Sequence, residues 1–271
     1  MPIVKLPGTV HSEEDFSLAP AVVDALWRME DRHFWHRARN EWILDALRAG
    51  GVAPGANLLE VGCGSGAVLR ALTLAGYAVV GVDTAEHLIE KAHRRCPTAS
   101  LVVGDVAALP PGLQGPFAAI GFFDVLEHLD EPERLLRSAL RWAAPGAYVL
   151  VTVPALRALH TVVDDLSGHK RRFEPGELTP LLESVGLSDV VEHGIFASTM
   201  PLQRLSRALA VRKPVLDDAA KTRTMTQALR VPALPVNLAL GALARAERAQ
   251  GLQQARGRVG ATILGVARYR G

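Results

Sequence analysis

Short apolar runs alternate with helix-period patterns through the middle of the chain. Between about 57 and 154 the runs "NLLEV", "AVVGVD", "SLVVGD", "FAAIGFF" and "AYVLVTVP" are separated by "AVLRALTLAG", "AEHLIEKAHRR" and "PERLLRSALRWA", in which apolar residues recur every three or four positions. Strands alternating with helices of this length predict βαβ units and a parallel sheet covered on both faces. Gly76, Pro97, Pro110, Pro111, Gly115 and the "APG" at 144–146 punctuate the pattern where turns are needed. Upstream, over 20–49, Val22, Val23, Leu26, Trp27, Trp35, Trp42, Ile43 and Leu47 recur at helical spacing. Downstream, a polar loop, "ALRALHTVVDDLSGHKRRF", leads to a capped helix at "EPGELTPLLESVG" and a strand at "SDVVEHGIF". Residues 197–255 then read as helices broken by Pro201, Pro214, Pro232 and Pro235, and "GATILGVARYR" alternates like a strand added late at the sheet edge. The expectation is one doubly wound α/β domain: a helical lid over 1–50, a core over 51–196, a helical insertion or cap over 197–258 and a last core strand over 259–271.

With 271 residues, 49% hydrophobic and 21% charged, the chain can bury one large core with an elaboration. A net charge of +2, with both signs spread along the sequence, gives no footprint for nucleic acid. Cys63 and Cys96 are too few for a disulfide framework and lack zinc spacing, which suits a reducing cytoplasm. The segment "MPIVKLPGTVHSEEDF" has no basic-then-apolar leader, and no stretch reaches the ~18 to 20 apolar residues of a membrane span, so neither secretion nor integral insertion is expected.

The chemistry concentrates in "LLEVGCGSGAVL", residues 58–69. A glycine-rich turn from strand to helix lets a ligand approach the backbone, while the helix start offers free N–H groups and partial positive charge. Dinucleotides use such a turn, and Gly62, Gly64 and Ala67 meet a lenient form of their pattern. The acids separate the possibilities. Glu60 precedes the glycines; Asp83, followed by Thr84, ends the next strand and suits a ribose diol; Asp105 follows the third strand, where a carboxylate can accept from an adenine amine. S-adenosylmethionine carries a sulfonium and an ammonium and no pyrophosphate, so acids around its loop cost less than beside phosphates.

The "EVGCGSG" at 60–66 resembles the first motif of class I S-adenosylmethionine-dependent methyltransferases, and "GFFDVLEHLDEPERLL" resembles the fourth-strand motif of the branch that includes ubiquinone-biosynthesis O-methyltransferases. "MEDRHFWHRARNEWI" and "VPALRALHTVVDDLSGHKRRFEPGELTPLLESVGL" are similar to a bacterial group within that branch with polysaccharide, lipid or natural-product acceptors. The resemblance implies a Rossmann-like, seven-stranded, mostly parallel sheet and methyl transfer to an acceptor oxygen. It also implies that Gly62, Gly64 and Gly66 hold the methionine portion, Asp83 the ribose, Asp105 and Val106 the adenine, that Phe123 and Asp124 lie beneath the sulfonium, and that Arg39 grips the cofactor carboxylate.

Histidine is the natural proton acceptor near neutral pH, and His128 and His169 are the candidates beside strand ends. Their plainer readings are a capping or core histidine and part of a solvated charge run. Glu127, His128 and His169 together suit a divalent ion, as the resemblance also suggests; metal dependence is left open. Arg171 and Arg172 are candidate anion clamps for the acceptor and Trp35 a candidate contact, against the alternative that Trp35 and Trp42 are simply core. The basic, apolar segment "VPALPVNLALGALARAERAQGLQQ" suits a cap on the acceptor pocket, a peripheral membrane contact or a homodimer face. The partner expected is a small-molecule, glycan or lipid-linked acceptor. Two rival functions stand beside methyl transfer: a nicotinamide-dependent oxidoreductase, which leaves Asp105 unexplained, and a non-catalytic membrane-associated binding protein on the same fold.

Overall fold

A computed structural model describes residues 3–6, 19–110, 113, 115–208 and 217–271. It contains a single sheet in the order β1-β4-β3-β2-β5-β6-β8-β7. These strands are β1 (Ile3–Lys5), β2 (Asn57–Val61), β3 (Ala78–Asp83), β4 (Ser100–Val103), β5 (Phe117–Phe123), β6 (Ala143–Pro154), β7 (Leu187–Ile195) and β8 (Thr262–Tyr269). β1 to β6 pair in parallel, and β8 runs antiparallel to both β6 and β7. The middle strands are apolar on both faces because helices cover both, so Leu59, Val80, Val102, Ile120, Val149 and Val151 are all almost fully buried.

The helices between them are α1 (Pro20–Glu30), α2 (Phe34–Ala49), α3 (Ala67–Leu74), α4 (Glu86–Arg95), α5 (Pro132–Leu140), α6 (Val162–Leu166) and α7 (Leu178–Ser184). Trp42, Ile43, Ala46 and Leu47 form the buried stripe of α2, the spacing that marks one helix face. Between β7 and β8 run α8 (Met200–Ala208), α9 (Asp218–Ala228), α10 (Leu234–Arg248) and α11 (Gly251–Ala255).

Three features differ from the sequence reading. The sheet has eight strands: Ile3–Lys5, inside the stretch read as helical, adds β1 in parallel beside β4. The final strand is interior, not an edge. Thr262 to Ala267 are buried without interruption, so the residues that looked alternating are packed on both sides, and β7, with exposed Asp189, takes the edge. The polar loop after β6 is also partly ordered by α6 and by a bridge from Ala155 to Phe173.

β2 is the switch point, with β3 on one side and β5 on the other. In open parallel sheets ligands gather outside the carboxyl ends of the strands at that place. The turns after β2, β3 and β5 meet there.

Candidate functional site

The three loop glycines do different physical work. All have positive φ, +71° at Gly62, +52° at Gly64 and +81° at Gly66. A Cβ on Gly62 would come within 2.5 Å of Val125 Cγ2, and one on Gly66 within 3.0 Å of Ala92 Cα, so these two let the turn seat against the loop after β5 and against α4. A Cβ on Gly64 would meet nothing within 4 Å. Its bare backbone faces open space.

Asp83 closes one side of that space. Its Oδ2 accepts from the Gly64 N–H at 2.8 Å and its Oδ1 from the Ala85 N–H at 2.9 Å, which fixes the carboxylate between the first two turns. Thr84 beside it is exposed. Glu60 lies below, 2% exposed, with Oε2 lacking a hydrogen-bond partner. Burial pushes its carboxyl well above the ordinary range, and the nearby Arg39 charge only partly opposes this. Asp105 is exposed and caps a short turn, its Oδ1 accepting from the Ala107 N–H at 2.8 Å, while Val106 is buried and its carbonyl accepts from Trp142 Nε1 at 3.1 Å.

Arg39 reaches the site from α2. Its buried guanidinium pairs with Asp124 and lies 5.0 Å from the Trp35 ring centre; Trp35 in turn stacks on Phe196 at 5.6 Å. Its partner is therefore a protein carboxylate. Asp124 follows the nearly buried Phe123 at the end of β5 and is itself held in the left-handed region at φ 57°. Thr152 fixes it there, the carbonyl accepting from the Asp124 N–H at 2.9 Å and the hydroxyl donating to Oδ1 at 3.1 Å. Leu156 and Phe196, just past the ends of β6 and β7, also have positive φ, 64° and 63°. Three of the four described non-glycine residues with positive φ thus lie at the carboxyl ends of strands, a pattern associated with ligand sites; the fourth, Asp189, sits near the start of β7.

A second group stands beside the first. Glu127 is fully buried with neither carboxylate oxygen partnered, and burial, reinforced by the Asp124 charge, raises its pKa far above the usual carboxyl value. His128 is pushed down to about 4 by burial and by His169. The two imidazoles meet nearly edge to face, 4.9 Å between centres at 83°. One ligand-type atom from each of Glu127, His128 and His169 lies within 4.8 Å of the others, a spacing able to hold a divalent cation.

His169 is held from behind by a residue the sequence reading passed over. Its Nδ1 lies 3.0 Å from Oδ1 of Asp164, which is 2% exposed. Asp164 also accepts from Arg172 Nε at 2.8 Å, and from the Thr161 N–H and hydroxyl at 2.7 and 2.9 Å. Burial opposes its ionisation, but the His169 hydrogen bond and the Arg172 charge outweigh that and hold the carboxyl below the ordinary range. Thr161-x-x-Asp164 is a capping box for α6, and that motif was the available signal. The neighbouring arginines tie loops together: Arg172 also reaches the Ala155 carbonyl at 3.0 Å, and Arg171 the carbonyls of Leu129 and Asp130 at 2.8 and 3.0 Å. A further unanticipated contact closes over the glycine turn, where Ser65 donates to Glu30 of α1 and Arg95 bonds Glu30 at 2.6 Å and the Ser65 carbonyl at 3.0 Å.

The family model of the methyltransferase domain matches residues 34–193, more than half of the chain and nearly all of the residues that build this site. The chain belongs to that methyltransferase family. It is thereby a class I S-adenosylmethionine-dependent methyltransferase, the class indicated by "EVGCGSG". Among curated relatives, the methyltransferase is 27% identical over 158 residues to a ubiquinone biosynthesis O-methyltransferase of Methylococcus capsulatus, covering 52% of this chain and 67% of the relative. It is 29% identical over 150 residues to the enzyme of that description from Coxiella burnetii, covering 49% and 64%. It thus spans about two thirds of the curated relatives' length. By fold it is similar to a putative methyltransferase of Haloferax volcanii, at TM-score 0.57 and 20% identity, covering 94% of this chain and 100% of that one. It is likewise similar to phosphoethanolamine N-methyltransferase 2 of Haemonchus contortus bound to S-adenosyl-L-methionine, at TM-score 0.56 and 14% identity, covering 92% and 57%. The residues present fit that cofactor: open space at Gly64, a fixed carboxylate at Asp83 and an unpartnered Glu60 oxygen lie around the turn. Among the described residues no helix is long and apolar enough to cross a membrane.

Proposed function

We propose that this methyltransferase places a methyl group on a hydroxyl oxygen of a small acceptor, with His169 receiving the proton. The observation that carries the reading is the Asp164–His169 pair. A buried, ionised carboxylate accepting from Nδ1–H selects the tautomer whose Nε2 lone pair is free to take a proton.

When bound, S-adenosylmethionine supplies an electrophilic methyl on its sulfonium. In this reading Asp83 would hold the ribose, Asp105 and Val106 the adenine, and Gly62, Gly64 and Gly66 the methionine portion, while Arg39, Asp124 and Phe123 would shape the floor of the cofactor site. Trp35, Arg171 and Arg172 border the acceptor side. With the methyl supplied in this way, His169 Nε2 would take the proton that the acceptor hydroxyl gives up. His128, neutral at physiological pH because its pKa lies near 4, lends no charge to the reaction and shapes the wall beside His169. Since displacement at carbon needs mainly alignment, most of the protein's task is positioning. The relatives' O-methyltransferase descriptions favour oxygen as the nucleophile, and sugars, phenols and lipid-linked hydroxyls are the acceptor classes to try. A reducing cytoplasm fits the two buried free thiols, Cys63 and Cys96.

The test is release of S-adenosylhomocysteine across a panel of phenols, sugars and lipid-linked alcohols, with mass spectrometry of the product. An O-methylated product that His169→Ala abolishes, with cofactor affinity retained, supports the reading. Methylation only of amines, or unchanged turnover by the variant, overturns it.

A further inference from the structure

Helix α10 is amphipathic the wrong way round for a helix facing water. Its inner face carries the polar ties. Asn237 Oδ1 accepts from the Phe34 N–H at 3.0 Å and its amide donates to the Arg32 carbonyl at 2.9 Å. Buried Glu247 accepts from the Ala197 and Ser198 N–H groups at 3.1 and 2.8 Å and from Arg258 at 2.6 Å, while Arg248 pairs with Asp45 at 2.6 Å and Glu41 at 3.0 Å. The outer face is apolar. Leu234, Val236, Leu238 and Leu243 are 70, 48, 56 and 42% exposed, and exposed Pro235, Ala239, Ala242 and Ala246 run between them. A soluble helix turns such a stripe inward, and a continuous exposed one marks a surface that is covered in use.

Charge says what covers it. Residues 197–246 contain eight Lys and Arg and two Asp, a net +6, so the rest of the chain carries −4 against +2 overall. No acid occurs between Asp218 and Glu247. Arg204, Arg223, Arg230 and Arg245 are all exposed, Arg245 on the flank of the stripe that holds Leu234 and Leu238. Leu202 on α8 adds another exposed apolar side chain, at 50%. Exposed leucines within a strongly cationic segment complement an anionic lipid surface, where the apolar side chains enter the headgroup boundary and the cations meet lipid charge. A second copy of this chain would set one cationic segment against another. The segment lies outside the residues that the family model matches.

We propose that α10 is a docking face for an anionic bilayer surface, which it engages peripherally. The face adjoins the site. Asn237 holds the start of α2, whose next residues include Trp35 and Arg39, so docking brings the acceptor side of the site close to the lipid. That last consequence rests on the function proposed above; the docking itself does not.

The full chain is sedimented with vesicles of phosphatidylcholine alone and of phosphatidylcholine containing about one third phosphatidylglycerol, at low and high salt. Binding to the anionic vesicles that salt weakens is expected. Replacing Leu234, Leu238 and Leu243 together by Gln should reduce partitioning by about 100-fold or more, and each of Arg230→Gln and Arg245→Gln by about fivefold. Unchanged S-adenosylhomocysteine affinity and circular dichroism would show these variants to be folded. Absence of binding to anionic vesicles at low salt, equal binding to neutral ones, or a solution dimer that the leucine substitutions dissociate while vesicle binding stays absent would overturn the proposal. Lack of turnover on lipid-linked alcohols by a chain that still binds vesicles would count against the acceptor reading and leave docking standing.

Discussion

Asp164→Asn tests whether the buried carboxylate, rather than the shape of its side chain, sets up His169. In the native protein Oδ1 receives His169 Nδ1 at 3.0 Å and Arg172 Nε at 2.8 Å, and Oδ2 receives the Thr161 N–H and hydroxyl at 2.7 and 2.9 Å. Every neighbour donates. An amide must place its NH₂ against one of these sets, donor against donor. With the NH₂ toward Thr161, the remaining oxygen still serves His169 and Arg172, but as a neutral acceptor for a cation whose side chain is only 10% exposed; with the NH₂ toward His169, the ring must accept at Nδ1 and carry its proton on Nε2 instead. Breaking a buried pair from one side costs about 3 to 5 kcal/mol, and the strained Thr161 N–H contact lies within that figure, since the Thr161 hydroxyl can turn to accept from the amide. The stability loss has a pH signature. Because the folded carboxyl titrates below its unfolded value, its contribution is complete above the ordinary aspartate range near ~3.9 and fades as pH falls through the folded value. The gap between wild type and Asp164→Asn is therefore constant at neutral pH and narrows only below about pH 4.

Turnover should fall by about 10² to 10⁴, because one amide orientation removes the tautomer that accepts a proton at Nε2 and the other removes the negative charge that stabilises the resulting imidazolium, with S-adenosylhomocysteine affinity nearly unchanged. Nitrogen-15 spectra of His169 report the tautomer without any assay of turnover: Nδ1-protonated in wild type, mixed or reversed in the Asn variant. Asp164→Glu, which keeps the charge, should recover part of both signals. In a His169→Ala background, Asp164→Asn should add little further loss of turnover, because the residue acts through the histidine. A folded Asp164→Asn protein with wild-type turnover and an unchanged tautomer would refute the reasoning.

Other substitutions separate the jobs around the glycine turn. Gly64→Val should abolish S-adenosylhomocysteine binding, measured by calorimetry, at a stability cost of about 1 to 3 kcal/mol from its left-handed φ alone, because no protein atom lies near its Cβ. Gly66→Val should instead unfold the protein or lower its melting temperature more sharply, since its Cβ would press on the Ala92 backbone. Asp83→Ala should weaken cofactor affinity by roughly 1.5 to 3 kcal/mol, the worth of a hydrogen bond to a charged group. Glu60→Gln should stabilise the protein progressively as pH rises above the unfolded carboxyl value near ~4.3 and have no effect below it, because only the folded chain resists ionisation there. Denaturant unfolding from pH 4 to 8 checks this sign, and a variant less stable at neutral pH would show that the Glu60 carboxylate is ionised and partnered.

What could be read in advance follows from the range of each interaction. The strands and the glycine turn were legible because a period-two or continuous apolar run and a strand–glycine–helix junction are written in adjacent residues. β1 escaped because three residues, Ile3–Lys5, gain strand form only from the edge of β4, nearly a hundred positions away. β8 was placed at the edge for a related reason: alternation describes one solvated face, whereas here Leu178 and Leu182 of α7 pack over Gly265 and β7 pairs beside the strand to take the edge. At the site, His169 and His128 drew notice as residue types with the right chemistry, whereas Asp164 looked like one acid among several in "VVDDL". Its capping box was visible, but the two donors that make its carboxylate useful, His169 and Arg172, arrive through the fold of the loop. Arg39 shows the converse limit. Its chemistry suggests an anion as partner, and the structure supplies one from within the protein, Asp124, because a buried guanidinium is costly without a carboxylate beside it. Any ligand carboxylate reaching Arg39 therefore competes with, or shares, a pair that already exists.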